Sequence, residues 1–293
     1  MNRNVLILSL AQIVAFCVSP ALMFIGAIIG QQLAPSTEMA TLPIAAMVVG
    51  TALGAYPLIT LMRSIGRKPV FVGSLLTIAV ACLAIALALQ LESFLLFVIS
   101  ILVIGACMAA IQQFRFAAME SVPSDRMASA ASSVLLAGVA AALVGPELVF
   151  RGQYFFATEF TGSFILIALA YLACAALLLL YRQPRELNSG NAMAGGSARQ
   201  LFAHPLFRTA VLGGASGFAI MTFVMTATPI SMHQHSGHSL ADTKWVIQSH
   251  VSAMFLPSLI LPLLIRRLGC SRSWCWAPAV ISPPLLSGWP IQV

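Results

Sequence analysis

Residues 42–89 read LPIAAMVVGTALGAYPLITL-MRSIGRKP-VFVGSLLTIAVACLAIALAL, two apolar stretches joined by a short basic turn. Each stretch has about 20 residues, the length that an α-helix needs to cross a hydrocarbon core of about 30 Å. The turn between them carries Arg63, Arg67 and Lys68. This segment therefore predicts two membrane-spanning helices whose basic turn lies on one side of a bilayer.

The same alternation of apolar stretches and short polar connections runs through most of the chain. Hydrophobic residues make up 60% of the sequence and charged residues 8%, with a mean hydropathy of +0.96. In an ordinary soluble domain about a quarter of the residues are charged, so that class is excluded. The pattern predicts an all-α membrane protein that contacts the lipid bilayer. The predicted spans are residues 5–29, 42–61, 70–89, 94–118, 127–150, 160–180, 210–230 and 243–265.

Most of the basic residues fall on one side of these spans. If the N-terminus is cytoplasmic, twelve of the fifteen Lys and Arg residues are cytoplasmic, Arg151 and Lys244 face outward, and Arg115 lies within a span. Basic residues near helix ends resist translocation, so this asymmetry predicts a multi-pass protein with a cytoplasmic N-terminus. The first span is too long for a cleaved signal peptide. The net charge of +7 is scattered over the turns, so no nucleic-acid partner is expected.

A long polar segment after the sixth span divides the helices into two groups. It is rich in Gly, Ser and Pro, which is typical of a linker. The motif Arg63-x-x-Gly66 after the second span recurs as Arg266-x-x-Gly269 after the eighth, which favours a repeated unit. The predicted segments are a six-helix bundle, a cytoplasmic linker, helices seven and eight, and an atypical tail, at residues 1–181, 182–207, 208–269 and 270–293.

The tail at residues 270–293 differs in composition from the spans. It holds three of the four Trp residues and four of the sixteen Pro residues. Proline at this density would remove several backbone hydrogen bonds from a spanning helix. One hypothesis is that a frameshift or altered terminus puts the tail out of register, so that helices nine to twelve are missing. The other is an interfacial tail, because Trp favours the headgroup region.

The turn RSIGRK at residues 63–68 resembles part of the Gly-x-x-x-Asp-Arg-x-Gly-Arg-Lys loop of the major facilitator superfamily. Gly145-Pro146 in the fifth span and the long linker after the sixth add to the resemblance. Leu58 and Met62 stand where that family has Gly and Asp, so the acidic half of its charge relay is absent. By resemblance, Arg63, Gly66, Arg67 and Lys68 form a gating loop.

The resemblance implies a helical bundle of the major facilitator type, with a six-helix first half and about two helices of the second. It also implies a secondary transporter, not an enzyme, that moves a small organic solute by alternating access. The alternative is a non-transporting membrane remnant or a membrane interaction protein. Residues 112–118, 145–148 and 246–251 resemble a bacterial branch that includes riboflavin permeases, which implies the inner membrane, a flavin-like solute and protons as candidate partners.

Arg115 is the most informative single residue because a guanidinium within a span is costly unless it is paired or hydrated. Gln112 lies one helical turn away, so both side chains can project into a central cavity as substrate contacts, with Gln113 beside them. The alternative is that Arg115 extends to the membrane interface.

Three further polar residues within spans are candidate substrate contacts: Gln12, Gln248 and His250. Gln248 and His250 are two positions apart and therefore point in different directions on a helix. A packing histidine is the alternative for His250, although it could also titrate during proton coupling.

Glu147 follows the helix-breaking pair Gly145-Pro146 near the outer end of the fifth span. A carboxylate partly withdrawn from water could carry a proton, which makes Glu147 a candidate coupling site. The alternative is a structural ion pair with Arg151, one turn further on. Gly145-Pro146 would allow the helix to bend.

No metal or cofactor site is predicted. His233, His235 and His238 lack Cys or carboxylate companions, and the six cysteines show no metal-like pairing or disulfide framework. No nucleophile–base set or phosphate-binding glycine loop is present, so an enzyme is not expected.

Overall fold

The computed structural model describes residues 2–183, 202–232 and 236–256, and every regular element in these ranges is helical. Seven helical stretches in them are long and apolar enough to cross a membrane, which confirms the predicted all-α membrane fold. The helices are α1 Arg3–Ala15, α2 Val18–Leu33, α3 Leu42–Ile65, α4 Arg67–Gln90, α5 Phe94–Ile111, α6 Phe114–Met119, α7 Met127–Gly152, α8 Thr161–Leu178, α9 Pro205–Ile230 and α10 Leu240–Phe255.

At one face of the bundle, hydrogen bonds connect the chain start and the α3–α4 turn to the segment that follows α8. Asn4 Nδ2 donates to the carbonyl oxygen of Arg182 at 2.7 Å. The backbone N–H of Arg67 donates to Gln183 Oε1 at 2.9 Å. We call this surface the Arg67 face.

The opposite surface, the Glu92 face, holds the connections that follow α2, α4 and α7. Gln32 in the last turn of α2, Glu92 after α4 and Glu159 after α7 line one pocket. Arg151 near the end of α7 and Lys244 near the beginning of α10 belong to the same side. Successive spans therefore alternate in direction, as the predicted threading requires.

The first predicted span, residues 5–29, is interrupted in its middle. Pro20 has no N–H to donate to the carbonyl oxygen of Phe16, and the N–H of Ser19 donates to that oxygen instead, at 3.3 Å. Across the break, the hydroxyl of Tyr171 on α8 donates to the carbonyl oxygen of Ala15 at 2.6 Å. Because the break lies at membrane depth, this bond supplies a partner that water cannot.

Replacing Tyr171 by Phe is expected to lower the free energy of unfolding by about 1 kcal/mol, the net value of one hydrogen bond. Tyr171 is fully buried, so its hydroxyl has no solvent substitute. Unfolding of the purified protein in mixed micelles, followed by circular dichroism, measures the change. Tyr56→Phe is the matched control, since Tyr56 is 81% exposed on α3. An equal effect at both positions would contradict the prediction.

Helices α3 and α5 approach each other through glycines. An added Cβ at Gly50 would lie 2.1 Å from the carbonyl oxygen of Leu102, and one at Gly105 would lie 2.1 Å from that of Met47. The hydroxyl of Thr51 donates across the same contact to the carbonyl oxygen of Gly105 at 3.0 Å. Small residues thus bring the two backbones into direct contact, as is common between membrane helices.

Parts of the predicted organisation lie outside the described residues. These parts are most of the linker at residues 182–207, the second half of the span at residues 243–265, and the tail at residues 270–293. The division into segments therefore stays a prediction. Helix α9 begins at Pro205, five positions before the predicted span, because proline suits the first turn of a helix, where its missing N–H has no partner to lose.

Candidate functional site: a cavity between the bundle and α9–α10

A cavity of about 110 Å³ lies where α9 and α10 meet the six-span bundle. The α1–α2 break, halfway along the first span, forms part of its wall, so the cavity is at membrane depth. The lining residues are Phe16, Ser19, Pro20 and Met23 on the first span, Met47, Val48 and Thr51 on α3, Met108 and Gln112 at the end of α5, Phe218, Met221 and Met225 on α9, and Val251, Met254 and Phe255 on α10.

The lining of this cavity is apolar, with few polar groups. Three lining residues are polar, namely Ser19, Thr51 and Gln112, and none of the lining residues is charged. Thr51 already donates to backbone carbonyl oxygens. The side chains of Ser19 and Gln112 make no hydrogen bond with the described residues, so these two can bind a ligand.

The fourth predicted span is also interrupted, next to the cavity. Helix α5 ends at Ile111, and a turn at Gln112 and Gln113 precedes the short helix α6. The N–H of Gln113 donates to the carbonyl oxygen of Ala110 at 3.0 Å, an i to i−3 bond that tightens the turn. The continuous helix expected over residues 94–118 is therefore two helices.

This turn separates the residues that a continuous helix would place on one face. Gln112 is exposed and lines the cavity, whereas neither the half-buried Gln113 nor the exposed Arg115 lines it. The guanidinium carbon of Arg115 lies 4.8 Å from the ring centre of Phe116. Arg115 forms no ion pair with any described residue.

The other predicted polar contacts occupy three different environments. Gln12 is buried in α1, and its Oε1 has no hydrogen-bond partner among the described residues. Gln248 is buried against α7, where its Nε2 donates to the carbonyl oxygen of Leu143 at 2.9 Å. His250 is exposed. None of the three lines the cavity, and helical spacing accounts for the opposite directions of Gln248 and His250.

Glu147 forms two ion pairs at the Glu92 face. Its Oε1 lies 2.7 Å from Nε of Arg151, the pair that the sequence offered as an alternative, and its Oε2 lies 2.9 Å from Nζ of Lys244. The Lys244 side chain is 11% exposed, and its Nζ lies 4.3 Å from the ring centre of Phe150. Lys244 was not predicted from the sequence as a partner of Glu147, although an outward cation in a chain with its basic residues on the other side was a usable signal.

The Lys244–Glu147 pair begins a continuous contact between α10 and α7, which we call the α7–α10 seam. The bond from Gln248 to the Leu143 carbonyl lies one turn further toward the Arg67 face on both helices. Beyond it, the ring of Phe255 packs where a Cβ on Gly138 would come within 2.7 Å. The seam therefore extends from the Glu92 face to the cavity.

The pair Gly145-Pro146 lies where α7 packs closely against the first span. A Cβ added at Gly145 would lie 2.2 Å from the carbonyl oxygen of Cys17, at the α1–α2 break. Pro146 is buried, and α7 continues through it to Gly152. Helix α7 and the first span therefore pack closely where α1 and α2 meet.

Helix α9 touches the bundle only in its second half. Residues 208–220 are exposed, and an added Cβ at Gly213, Gly214 or Gly217 would meet nothing within 4 Å. Met225, one turn beyond the lining residue Met221, is buried. In the described part of the chain, α9 therefore packs against the bundle toward the Glu92 face and lies apart from it toward the Arg67 face, whereas α10 stays in contact with α7 along its described length.

The predicted gating loop is held by a network at the Arg67 face. Gly66 has φ +90°, a conformation that glycine adopts easily. Arg67 Nη2 lies 2.5 Å from Glu120 Oε1 at the end of α6, and Lys68 Nζ donates to the carbonyl oxygen of Leu179 at 2.6 Å. Arg63 is exposed.

Glu120 was not anticipated from the sequence. Met62, which replaces the aspartate of the resembled loop, is buried among apolar residues. The carboxylate for Arg67 instead comes from a helix end more than 50 positions away. Only the folding of α6 against the α3–α4 turn brings the two together.

Among the described residues, no group of three or more His, Cys, Asp or Glu side chains could hold a metal ion. His233, His235, Cys270 and Cys275 lie outside the described residues. The other four cysteines are free and buried, as small apolar residues would be.

The sequence model of the Major Facilitator Superfamily matches residues 8–288 of this chain. The riboflavin transporter RfnT of Brucella anthropi is 35% identical over 271 residues, an alignment that covers 92% of this chain and 68% of that protein. Two uncharacterized transporters of this type in Bacillus subtilis, YddS and YdeG, are 29% and 28% identical, with 84% and 92% of this chain aligned.

The chain spans about two thirds of the length of these relatives, since the alignments cover 60% of YddS and 66% of YdeG. No solved structure matches the chain significantly.

Proposed function

This chain belongs to the Major Facilitator Superfamily, and we propose that it moves a small organic solute across a bilayer by alternating access. This is a family of transporters rather than of enzymes. One observation carries the proposal: a cavity at membrane depth lies between the bundle and α9–α10, which pack on the bundle toward the Glu92 face, while the first half of α9 stands apart from it toward the Arg67 face. Rocking of the two groups about such a cavity is the transport plan of this architecture.

The distribution of basic residues supports an orientation for this arrangement. Arg67, Lys68 and Arg182 belong to the Arg67 face, which we assign to the cytoplasm of a bacterial cell, with the protein in the inner membrane. The N-terminus is then cytoplasmic. With this orientation, the α7–α10 seam closes the cavity toward the outside, and the first half of α9 stands apart from the bundle on the cytoplasmic side.

A flavin is the first solute to test, because RfnT is a riboflavin transporter. Proteoliposomes containing the purified chain are given labelled riboflavin, a drug panel and sugars, with and without a proton gradient. Saturable uptake of at least one solute is expected. No saturable flux for any solute would favour the alternative of a non-transporting membrane protein.

Within the site, we assign the direct solute contact to Gln112 and an interfacial role to Arg115. Gln12, Gln113, Gln248 and His250 remain proposed contacts that other conformations of the cycle would have to bring to the cavity. Glu147 remains the proposed proton site, because proton binding would weaken its ion pair with Lys244.

Replacing Gln112 by Leu is expected to reduce uptake at least fivefold, since loss of the hydrogen-bond partner of a polar solute group costs about 1–3 kcal/mol. Arg115→Lys is the matched variant three residues away, and it should keep uptake within twofold because an interfacial cation can extend to water. Initial uptake rates are compared at equal membrane abundance. A larger loss of uptake in Arg115→Lys than in Gln112→Leu would instead assign the substrate contact to Arg115.

A further inference from the structure

We propose that the cavity, whose volume of about 110 Å³ is smaller than a three-ring solute, binds one end of an uncharged, flat aromatic ring system through its methionines and phenylalanines, with the amide of Gln112 at the polar edge of that ring. This inference rests on the proposed function, and it names the class of solute for the same cavity.

Methionine dominates the lining. Six of the fifteen lining residues are methionines, contributed by the first span, α3, α5, α9 and α10. The chain holds only 13 methionines in 293 residues, so methionine is strongly over-represented in the lining relative to the whole chain. Thioethers are polarizable and make favourable contacts with aromatic rings, and their flexible side chains adapt to different ring outlines. The methionines are Met23, Met47, Met108, Met221, Met225 and Met254.

Aromatic side chains complete the walls on both sides of the cavity. Phe16 at the α1–α2 break and Phe255 on α10 meet edge to face, with ring centres 5.5 Å apart, and Phe218 lines the wall from α9. Rings in this arrangement offer faces and edges to a further ring, which is how aromatic groups pack.

The cavity offers nothing to neutralise a charge. No lining residue is ionisable at neutral pH, and the nearby cations are used or placed elsewhere: Lys244 pairs with Glu147, and Arg115 does not line the wall. Burial of an unpaired ionised group is strongly unfavourable. The part of the solute that enters the cavity is therefore uncharged.

The shortage of free polar groups excludes a sugar as the buried part. Each hydroxyl of a polyol needs a hydrogen-bond partner when it leaves water, but only Ser19 and Gln112 have uncommitted side chains in the wall. The amide of Gln112 instead offers a donor and an acceptor side by side, which matches a ring edge with adjacent carbonyl and N–H groups.

Equilibrium dialysis of the purified full chain in nanodiscs tests the inference, with empty nanodiscs as the blank for partition into lipid. Three probes separate the classes: lumiflavin as the uncharged ring, naphthalene-2-sulfonate as an anionic ring, and ribitol as a polyol. Saturable binding of lumiflavin is expected, with at least tenfold weaker binding of the other two.

Variants then locate the site. Met221→Gln and Gln112→Leu should weaken lumiflavin binding at least fivefold. Met221 is only partly buried, so its replacement carries little risk of misfolding. Met39→Gln makes the same chemical change at an exposed residue outside the cavity and should leave binding unchanged.

Absence of saturable lumiflavin binding, equal binding of either other probe, or insensitivity to both cavity variants would overturn the inference. The proposed function is tested by a separate outcome, the saturable flux. Ring binding without saturable flux would reject transport and keep the solute class, whereas saturable flux of a sugar without ring binding would keep transport and reject the class.

Discussion

Breaking the Lys244–Glu147 pair with Glu147→Gln is expected to reduce saturable uptake at least tenfold. Lys244 is largely buried, so the substitution leaves its ammonium group without a carboxylate, and loss of one partner from a buried charge pair costs about 2–5 kcal/mol. The lower end applies here because the Glu147 side chain is 36% exposed. Since the pair lies between the bundle and α10, its loss destabilises the conformation closed at the Glu92 face.

Charge reversal separates a lost ion pair from general damage. The double variant Glu147→Lys with Lys244→Glu should recover at least a third of wild-type uptake, because it restores opposite charges across the seam. Arg151→Gln is the matched control: Arg151 is 73% exposed, and an exposed ion pair contributes under about 1 kcal/mol. Uptake in this control should stay within twofold of wild type.

A labelling readout tests the seam without a transported solute. Thr243 is fully buried next to Lys244, so a cysteine introduced by Thr243→Cys should react slowly with a membrane-impermeant maleimide. Addition of Glu147→Gln should speed this reaction at least fivefold. Equal reaction rates in the two backgrounds would show that the ion pair does not hold the seam closed.

Gly105→Ala is expected to be severely destabilising even though it adds a single methyl group. The new Cβ would lie 2.1 Å from the Met47 carbonyl oxygen and 2.8 Å from its carbon, and backbone cannot move aside as a flexible side chain can. Extra volume in a packed contact typically costs about 1–3 kcal/mol, and the larger Gly105→Leu should prevent α3 and α5 from pairing. The yield of monodisperse protein on size exclusion measures the effect.

Gly73→Ala provides the matched control for this packing prediction. An added Cβ at Gly73 in α4 meets nothing within 4 Å. Because alanine favours a helix over glycine by about 1 kcal/mol, this variant should unfold at the same or a higher denaturant fraction than wild type. Equal yields for Gly105→Leu and Gly73→Ala would refute the close α3–α5 contact.

The order and alternating direction of the seven described spans were readable in the sequence, and the eighth predicted span, residues 243–265, is only partly described. A bilayer core leaves backbone groups without water, so any stretch that crosses it must be a long apolar helix, and segments such as Arg67–Gln90 have that length and composition. The basic turn at Arg67 and Lys68 marked one face for the same reason, since charge placement at helix ends is a local property.

The helix interruptions were only partly predictable. Pro20 is visible in the sequence, but a proline within a span can bend, break or fit a helix, as Pro146 does in continuous α7. At this break, the hydrogen-bond partner of the Ala15 carbonyl is the Tyr171 hydroxyl from α8, more than 150 positions away. The turn at Gln112 contains no proline or glycine that would indicate it, so a continuous helix with Gln112 and Arg115 on one face was expected there, whereas the structure has two helices.

The candidate site depends on contacts between distant segments. Glu147 was recognised as an unusual acid, yet its partner Lys244 lies 97 positions further on and becomes a neighbour only when α10 packs against α7. The methionines of the cavity look like ordinary span residues in the sequence, because each lies on a different helix or turn.

Local chemistry thus specified a multi-pass helical membrane protein with its basic turns on one face, since hydrophobic length and charge at helix ends act within one segment. Packing of α9 and α10 on the bundle specified the rest: which polar residues pair, where the cavity lies and which face is closed. Those features arise from side chains on separate helices that meet at specific distances, and helix packing, not residue order, sets those distances.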